Sequence, residues 1–187
     1  FHLCYNITCI KLMPGWKGGQ AVRILGVDPG YAIVGCGVVD CVHSRFQMVD
    51  YGAILTPAGA PMEDRLETIH HQLTCAIQRY KPQCMAIEQL YFTSNQKTVI
   101  AVAQARGVLL LCARQQGLEI FEYTPLQVKQ AVVGYGRAEK KQVMEMTRRI
   151  LKLDCIPKPD DAADALAIAI CHGHTGGSAL AKYDNLR

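Results

Sequence analysis

Four carboxylates stand where a folded chain would not casually put a charge. Asp28 closes the apolar run AVRILGVD, Glu88 lies at the end of the short apolar run CMAIEQL, and Asp161 and Asp164 open the Ala-rich stretch DDAADALAIAI. An ionised carboxylate is costly to bury unless it is paired or coordinates a metal. Four of them against apolar sequence predict one cation site assembled from distant segments. A donor set made only of oxygen suits a hard cation such as Mg²⁺, with Mn²⁺ an acceptable substitute. Two such ions roughly 3.5–4 Å apart form a device for phosphodiester hydrolysis, one activating a water and the other stabilising the leaving 3′ oxygen.

Each acid also has a plainer reading when taken alone. Asp28 sits in a D-P-G tripeptide that favours turns without chemistry. Asp161 at a helix start is favoured by the helix dipole. Glu88, at the end of a strand with buried character, and Asp164, inside an apolar helix, are harder to explain that way. Asp161 and Asp164 are three apart and share one helix face.

The rest of the charge is basic. With the four acids set aside, 12 acidic residues face 20 Lys and Arg. The segment 123–158 concentrates the excess, with Lys129, Arg137, Lys140, Lys141, Arg148, Arg149, Lys152 and Lys158 against Glu139, Glu145 and Asp154. A basic face beside an acidic metal site fits a polyanionic substrate. A solvated helix surface is the plain alternative for such a cluster.

Positioning these groups requires a particular order of elements. RILGVD (23–28), IVGCGVVD (33–40) and RFQMVDYGAIL (45–55) read as three strands joined by short turns, hence antiparallel hairpins. The glycines of the second strand mark a bulge or a close backbone approach. Met62, Leu66, Ile69, Leu73 and Ile77 give 62–80 the stripe of an amphipathic helix. CMAIEQL (84–90) suits a buried central strand. A helix over 95–116, nearly all apolar after Thr98, is expected to pack on several sides and to stop at Gly117. LEIFEY (118–123) is a strand, 125–132 and 138–153 are helices, and Asp160 is an N-cap for a last helix over 161–172. Strands that alternate with helices imply parallel crossovers. The prediction is an α/β fold with a mixed five-stranded sheet and helices on both faces. In it the first and fourth strands are neighbours, so Asp28 and Glu88 lie at adjacent strand ends.

The 187 residues, half of them hydrophobic and 19% charged, suffice for one domain with a substantial core. No apolar run is long enough to span a bilayer. Residues 1–20 lack the pattern of a secretory signal and read as a loose extension of unassigned role, ahead of a domain over 21–174 and a flexible tail over 175–187. Nine cysteines, with no C-x-x-C pair, support neither a zinc ribbon nor a redox motif, and several sit in apolar segments as free thiols of a reducing cytoplasm. His172 and His174 have no partner at ligand spacing and read as a helix end favoured by the C-terminal dipole.

ILGVDPG, AIEQLYF, QVKQAVVGYGRAEKKQV and DDAADALAIAICHGH together resemble the RuvC family of Holliday junction resolvases, within the RNase H-like (retroviral integrase) superfamily. The similarity runs from about Arg23 to His174, with four motifs in order. It implies a homodimeric, Mg²⁺-dependent endonuclease that acts on four-way junction DNA in recombination and repair. Such an enzyme makes two symmetric nicks that leave 5′-phosphate and 3′-hydroxyl ends, and it works with the RuvA–RuvB branch-migration complex. The resemblance assigns catalysis and metal binding to Asp28, Glu88, Asp161 and Asp164. The family pattern of an acid, two alanines and a second acid selects Asp161 rather than its neighbour Asp160. Tyr91 matches an aromatic, usually Phe, that stacks on an unpaired junction base, and Phe92 is a second candidate. Lys129 and Lys140 match lysines implicated in DNA contact and catalysis, with Arg137 and Lys141 beside them as further DNA contacts. Two rival functions follow from the same residues: a non-catalytic junction-binding module, or an RNase H-like nuclease acting on RNA.

Overall fold

Why the acids meet is set by a sheet whose alternate residues serve two different helical layers. The computed structural model describes residues 21–90 and 96–175. Its strands are β1 (Val22–Asp28), β2 (Ile33–Val42), β3 (Arg45–Leu55), β4 (Cys84–Glu88) and β5 (Glu119–Tyr123). They form one sheet in the order β3-β2-β1-β4-β5. β1, β2 and β3 pair antiparallel, while β4 is parallel to both β1 and β5. The expected mixed five-stranded sheet, with β1 beside β4, is thus present.

The helices are α1 (Met62–Tyr80), α2 (Gln96–Gln115), α3 (Pro125–Val133), α4 (Lys140–Ile150) and α5 (Asp160–Thr175). Leu25, Val27, Met85 and Ile87 pack into a core with α1 and α2. Ile24, Cys84 and Ala86 pack into a second core with α3, α4 and α5. Successive strand residues point to opposite faces. Asp28 therefore follows Ile24 and Gly26, and Glu88 follows Cys84 and Ala86, onto the face covered by α5.

Several boundaries move from the sequence expectation. β4 ends at Glu88 rather than 90, although Gln89 still donates its backbone N–H across to the carbonyl of Tyr123. α4 is shorter than 138–153: the Gln142 side chain accepts from the Glu139 N–H and opens the helix at Lys140, and Lys152 adopts positive φ beyond its end. α5 continues to Thr175, past the expected end at 172. Its first turn is closed by the Ala162 N–H on the carbonyl of Pro159, so Asp160 is its first helical residue rather than its cap. Asp160 instead accepts from Lys158 at 2.7 Å.

α2 departs from its expected burial on several sides. Ala105, Leu109, Cys112 and Ala113 are buried, yet Ile100 is 65% and Leu111 56% exposed. The layer that α2 shares with α1 covers only one side of it. Gly117 does end the helix turn with positive φ, as expected.

The glycines of β1 and β2 are sites of close approach rather than bulges. The one register irregularity between β2 and β3 falls at Val38/Val39. A Cβ on Gly26 would stand 2.0 Å from the carbonyl oxygen of Ala165, and one on Gly35 2.0 Å from that of Asp161. α5, lined with Ala162, Ala163, Ala165, Ala167 and Ala169, therefore lies directly on the sheet backbone.

Candidate active site

The close fit of α5 on β1 and β2 delivers two acids to the strand ends. Asp28 pairs across the sheet with Gly35, and Gly35 abuts the backbone of Asp161. On the other side, the parallel register that matches Val27 with Ile87 continues to set Asp28 beside Glu88. Asp164 lies one helical turn beyond Asp161.

The electrostatics record this convergence. Burial pushes the Asp28 carboxyl up to about 7, and repulsion from Glu88, Asp164 and Asp161 adds to the shift, with Lys140 opposing it. Glu88 is likewise raised to about 7, by burial first and by Asp164 next, against the pull of Lys129 and Lys140. Four carboxyl groups thus share one field, in which burial first and like charge next disfavour ionisation of Asp28 and Glu88.

Two lysines supply part of that charge. Lys140, the first residue of α4, places its ammonium 2.8 Å from Asp164, and this contact raises its own pKa. Lys129 stands on α3, which Thr124 and Gln127 open with a reciprocal capping box and Gly134 closes with positive φ. The pairing of Lys140 with an acid was not readable from the sequence, where the lysine was placed only by resemblance.

The donor set fits a hard divalent cation: it is all oxygen, partly buried and over-supplied with negative charge. The side chains do not stand in coordinating geometry. Among the described residues no group of three or more His, Cys, Asp or Glu is drawn together closely enough to hold a metal ion. Asp164 is turned to Lys140.

The other expected residues divide clearly. Arg137 and Lys141 are exposed near the start of α4. Tyr91 and Phe92 lie outside the described residues. His172 corrects its helix-end reading: it is buried among Phe121, Tyr123 and Cys84, its Nδ1 2.7 Å from the Tyr123 hydroxyl and its Nε2 3.3 Å from Cys84 Sγ. Burial lowers it to about 4, so it is a neutral core group rather than a cation at a helix end. Cys84 and Cys112 are buried free thiols, as expected.

Comparison with known proteins converges on one family. The sequence pattern described as "Crossover junction endodeoxyribonuclease RuvC" matches residues 24–172. A relative of that name from Alkaliphilus oremlandii is 54% identical over 153 residues, covering 82% of this chain and 93% of the relative. One from Caldanaerobacter subterraneus is 53% identical over 154 residues, with the same coverage. Among solved structures, T. thermophilus RuvC in complex with Holliday junction substrate superposes with a TM-score of 0.78 at 33% identity, covering 82% of this chain and 94% of that one. The yeast mitochondrial Holliday junction resolvase Ydc2 shares the fold, with a TM-score of 0.61 at 10% identity over 90% of this chain and 87% of that one.

Proposed function

Because the chain belongs to the RuvC family of crossover junction endodeoxyribonucleases, we propose that it resolves Holliday junctions by paired, symmetric, Mg²⁺-dependent nicks, with Asp28, Glu88, Asp161 and Asp164 as its catalytic and metal-binding residues. It is an endonuclease of DNA recombination and repair. That class sets aside both the non-catalytic binding module and the RNA-directed nuclease. One observation supports the mechanistic reading: β1 and β4 end side by side in Asp28 and Glu88, and α5 packs its first turns, with Asp161 and Asp164, against that end of the sheet.

Bound Mg²⁺ would supply an activated water and stabilise the leaving 3′ oxygen. The four carboxylates hold and orient that charge. Lys129 and Lys140, which already pull the acids toward ionisation, attract the scissile phosphate from the same side. Arg137 and Lys141 extend the positive face along the DNA backbone, where each neutralised phosphate adds to a salt-dependent affinity. Tyr91, with Phe92 as the second candidate, follows Glu88 in the sequence and carries the base-stacking role.

A homodimer gives one such site for each of two equivalent strands. The outer side of α2 is a suitable contact: Ile100, Gly107 and Leu111 recur at helical spacing, both apolar side chains are more than half exposed, and nothing lies within 4 Å of a Cβ added at Gly107. Nicks with 5′-phosphate and 3′-hydroxyl ends can be sealed by a ligase, and family membership supports a cytoplasmic partnership with RuvA–RuvB. No helix of the described residues is long and apolar enough to cross a membrane. The test is digestion of a four-way junction, linear duplex and RNA–DNA hybrid side by side. Cutting confined to the junction, as two nicks at equivalent positions, is expected. Preferential hydrolysis of the hybrid would overturn the reading.

A further inference from the structure

Among the described residues Arg65 is the only lysine or arginine that is buried, 8% exposed. It stands in the first turn of α1 and forms no ion pair with a described residue. A buried charge without a counterion is costly, so something local must hold it. What holds it lies at the end of the sheet where Asp28 and Glu88 stand. Its Nη2 donates to the carbonyl of Pro57 at 2.6 Å, and its guanidinium lies over the Tyr31 ring, 5.2 Å from the centroid. Its Nε is shielded from solvent and has no hydrogen-bond partner. A cation over an aromatic face gains most where both are withdrawn from water.

Tyr31 belongs to the turn that leaves Asp28. Residues 29–32 join the end of β1 to the start of β2, and Thr56, just past β3, fastens them from the side. Its hydroxyl donates to the Tyr31 carbonyl at 2.7 Å, and its N–H to that of Ala32 at 3.0 Å. Arg65 then ties Pro57, the next residue, to the Tyr31 ring. Asp28 depends on this turn. The ladder with β4 ends one residue earlier, at Val27 with Ile87, so Gly35 on one side and the turn beyond fix its place. We propose that Arg65 is a positioning residue for Asp28: by clamping Pro57 against Tyr31 it holds the β1–β2 turn, and with it the Asp28 carboxylate, in place for the metal site. Arg65 acts through Tyr31, and its role rests on the reading of Asp28 as a metal ligand.

Mn²⁺ affinity of the full-length protein, read from the electron paramagnetic resonance signal of the free ion, tests this apart from cleavage. Arg65→Met keeps most of the bulk and loses both the charge and the bond to Pro57. It should weaken Mn²⁺ binding about tenfold, the low end of what removing a supporting partner costs a metal site. Arg65→Lys keeps a cation over the ring and should recover most of that loss. Arg23→Met controls for stability alone. Arg23 pairs with Asp40 at the opposite end of β1, so its loss should lower Tm and leave Mn²⁺ affinity unchanged. In the Asp28→Asn protein, adding Arg65→Met should weaken Mn²⁺ binding no further, because the ligand it positions is gone. Thr56→Val cuts the hydroxyl bond to Tyr31, keeps the shape and should shift affinity in the same direction. Unchanged Mn²⁺ affinity in folded Arg65→Met or, should that variant not fold, in Thr56→Val overturns the proposal. So does an equal further loss in the Asp28→Asn background, which would make Arg65 a brace of the fold as a whole. Asp28→Asn binding Mn²⁺ as tightly as wild type would instead overturn the metal-site reading beneath it.

Discussion

Gly35→Ala tests the site's construction without touching a catalytic group. The added methyl would stand 2.0 Å from the carbonyl oxygen of Asp161, where ordinary contact begins at 3.4 Å, and the obstacle is backbone rather than a movable side chain. The first turn of α5 must therefore lift by about 1.4 Å, carrying Asp161 away from Asp28. A misplacement of that order at a reacting centre costs about 10²-fold in rate. Overpacking itself should cost roughly 1–3 kcal/mol, lowering Tm by about 2–10 °C in a chain of this size. Gly173→Ala separates the two effects. Its methyl meets the Phe46 ring at 2.2 Å near the opposite end of α5, a side chain that can turn aside, so it should destabilise no more than Gly35→Ala while leaving Asp161 in place. The assay is single-turnover cleavage of a labelled four-way junction over a Mg²⁺ series, with Tm measured on the same samples. Gly35→Ala should cut about 10²-fold more slowly and need more Mg²⁺, while Gly173→Ala should cut within a few-fold of wild type. Equal rates for Gly35→Ala and wild type would refute the claim that this contact sets the position of Asp161.

Further outcomes follow from the same field of charges. Asp28→Asn and Glu88→Gln should abolish cleavage, spare junction binding measured by gel shift, and raise the Tm of the metal-free protein above neutral pH by removing one repelling charge. Both acids have folded pKa values near 7, above their ordinary 3.8 and 4.5, so the charged forms are disfavoured by folding. Metal-free stability should therefore fall as pH rises from about 4 to about 7, and saturating Mg²⁺ should flatten that fall; a Tm profile that rises through this window would contradict the assigned shifts. Below about pH 7 protons should compete with the metal, weakening apparent Mg²⁺ affinity by up to tenfold per pH unit for each acid, as calorimetry in buffers of different ionisation enthalpy would reveal. Lys140→Met removes the ammonium that favours ionisation of both acids, so the pH midpoint of metal binding should move above about 7, and an unmoved midpoint would count against that role. Lys129→Ala should slow cleavage and reduce the salt dependence of junction binding by about one phosphate contact.

The order of elements, the place of β1 beside β4 and the pairing of Asp28 with Glu88 were legible because hydrophobic period and turn residues carry them directly. Asp164 stood out as a charge inside an apolar helix, whereas Asp161 at the helix start has an explanation of its own in the helix dipole. The contacts that fit these parts together were not. That Gly26 and Gly35 receive the backbone of α5 shows in sequence only as glycine, which a bulge would explain equally well. Lys140 meets Asp164 through the angle between α4 and α5, which no spacing encodes. His172 was misread because its partners Cys84 and Tyr123 stand 88 and 49 residues away. The exposed side of α2 was missed for a similar reason: apolar composition tells which residues seek cover and leaves open what provides it.

Crystals soaked in Mn²⁺ and measured at the manganese absorption edge ask the central question most directly. Two anomalous peaks about 3.5–4 Å apart, bracketed by Asp28, Glu88, Asp161 and Asp164 and lost in crystals of Asp28→Asn, are the expected result. Peaks bound elsewhere on the protein, with these four side chains still apart, would contradict the account.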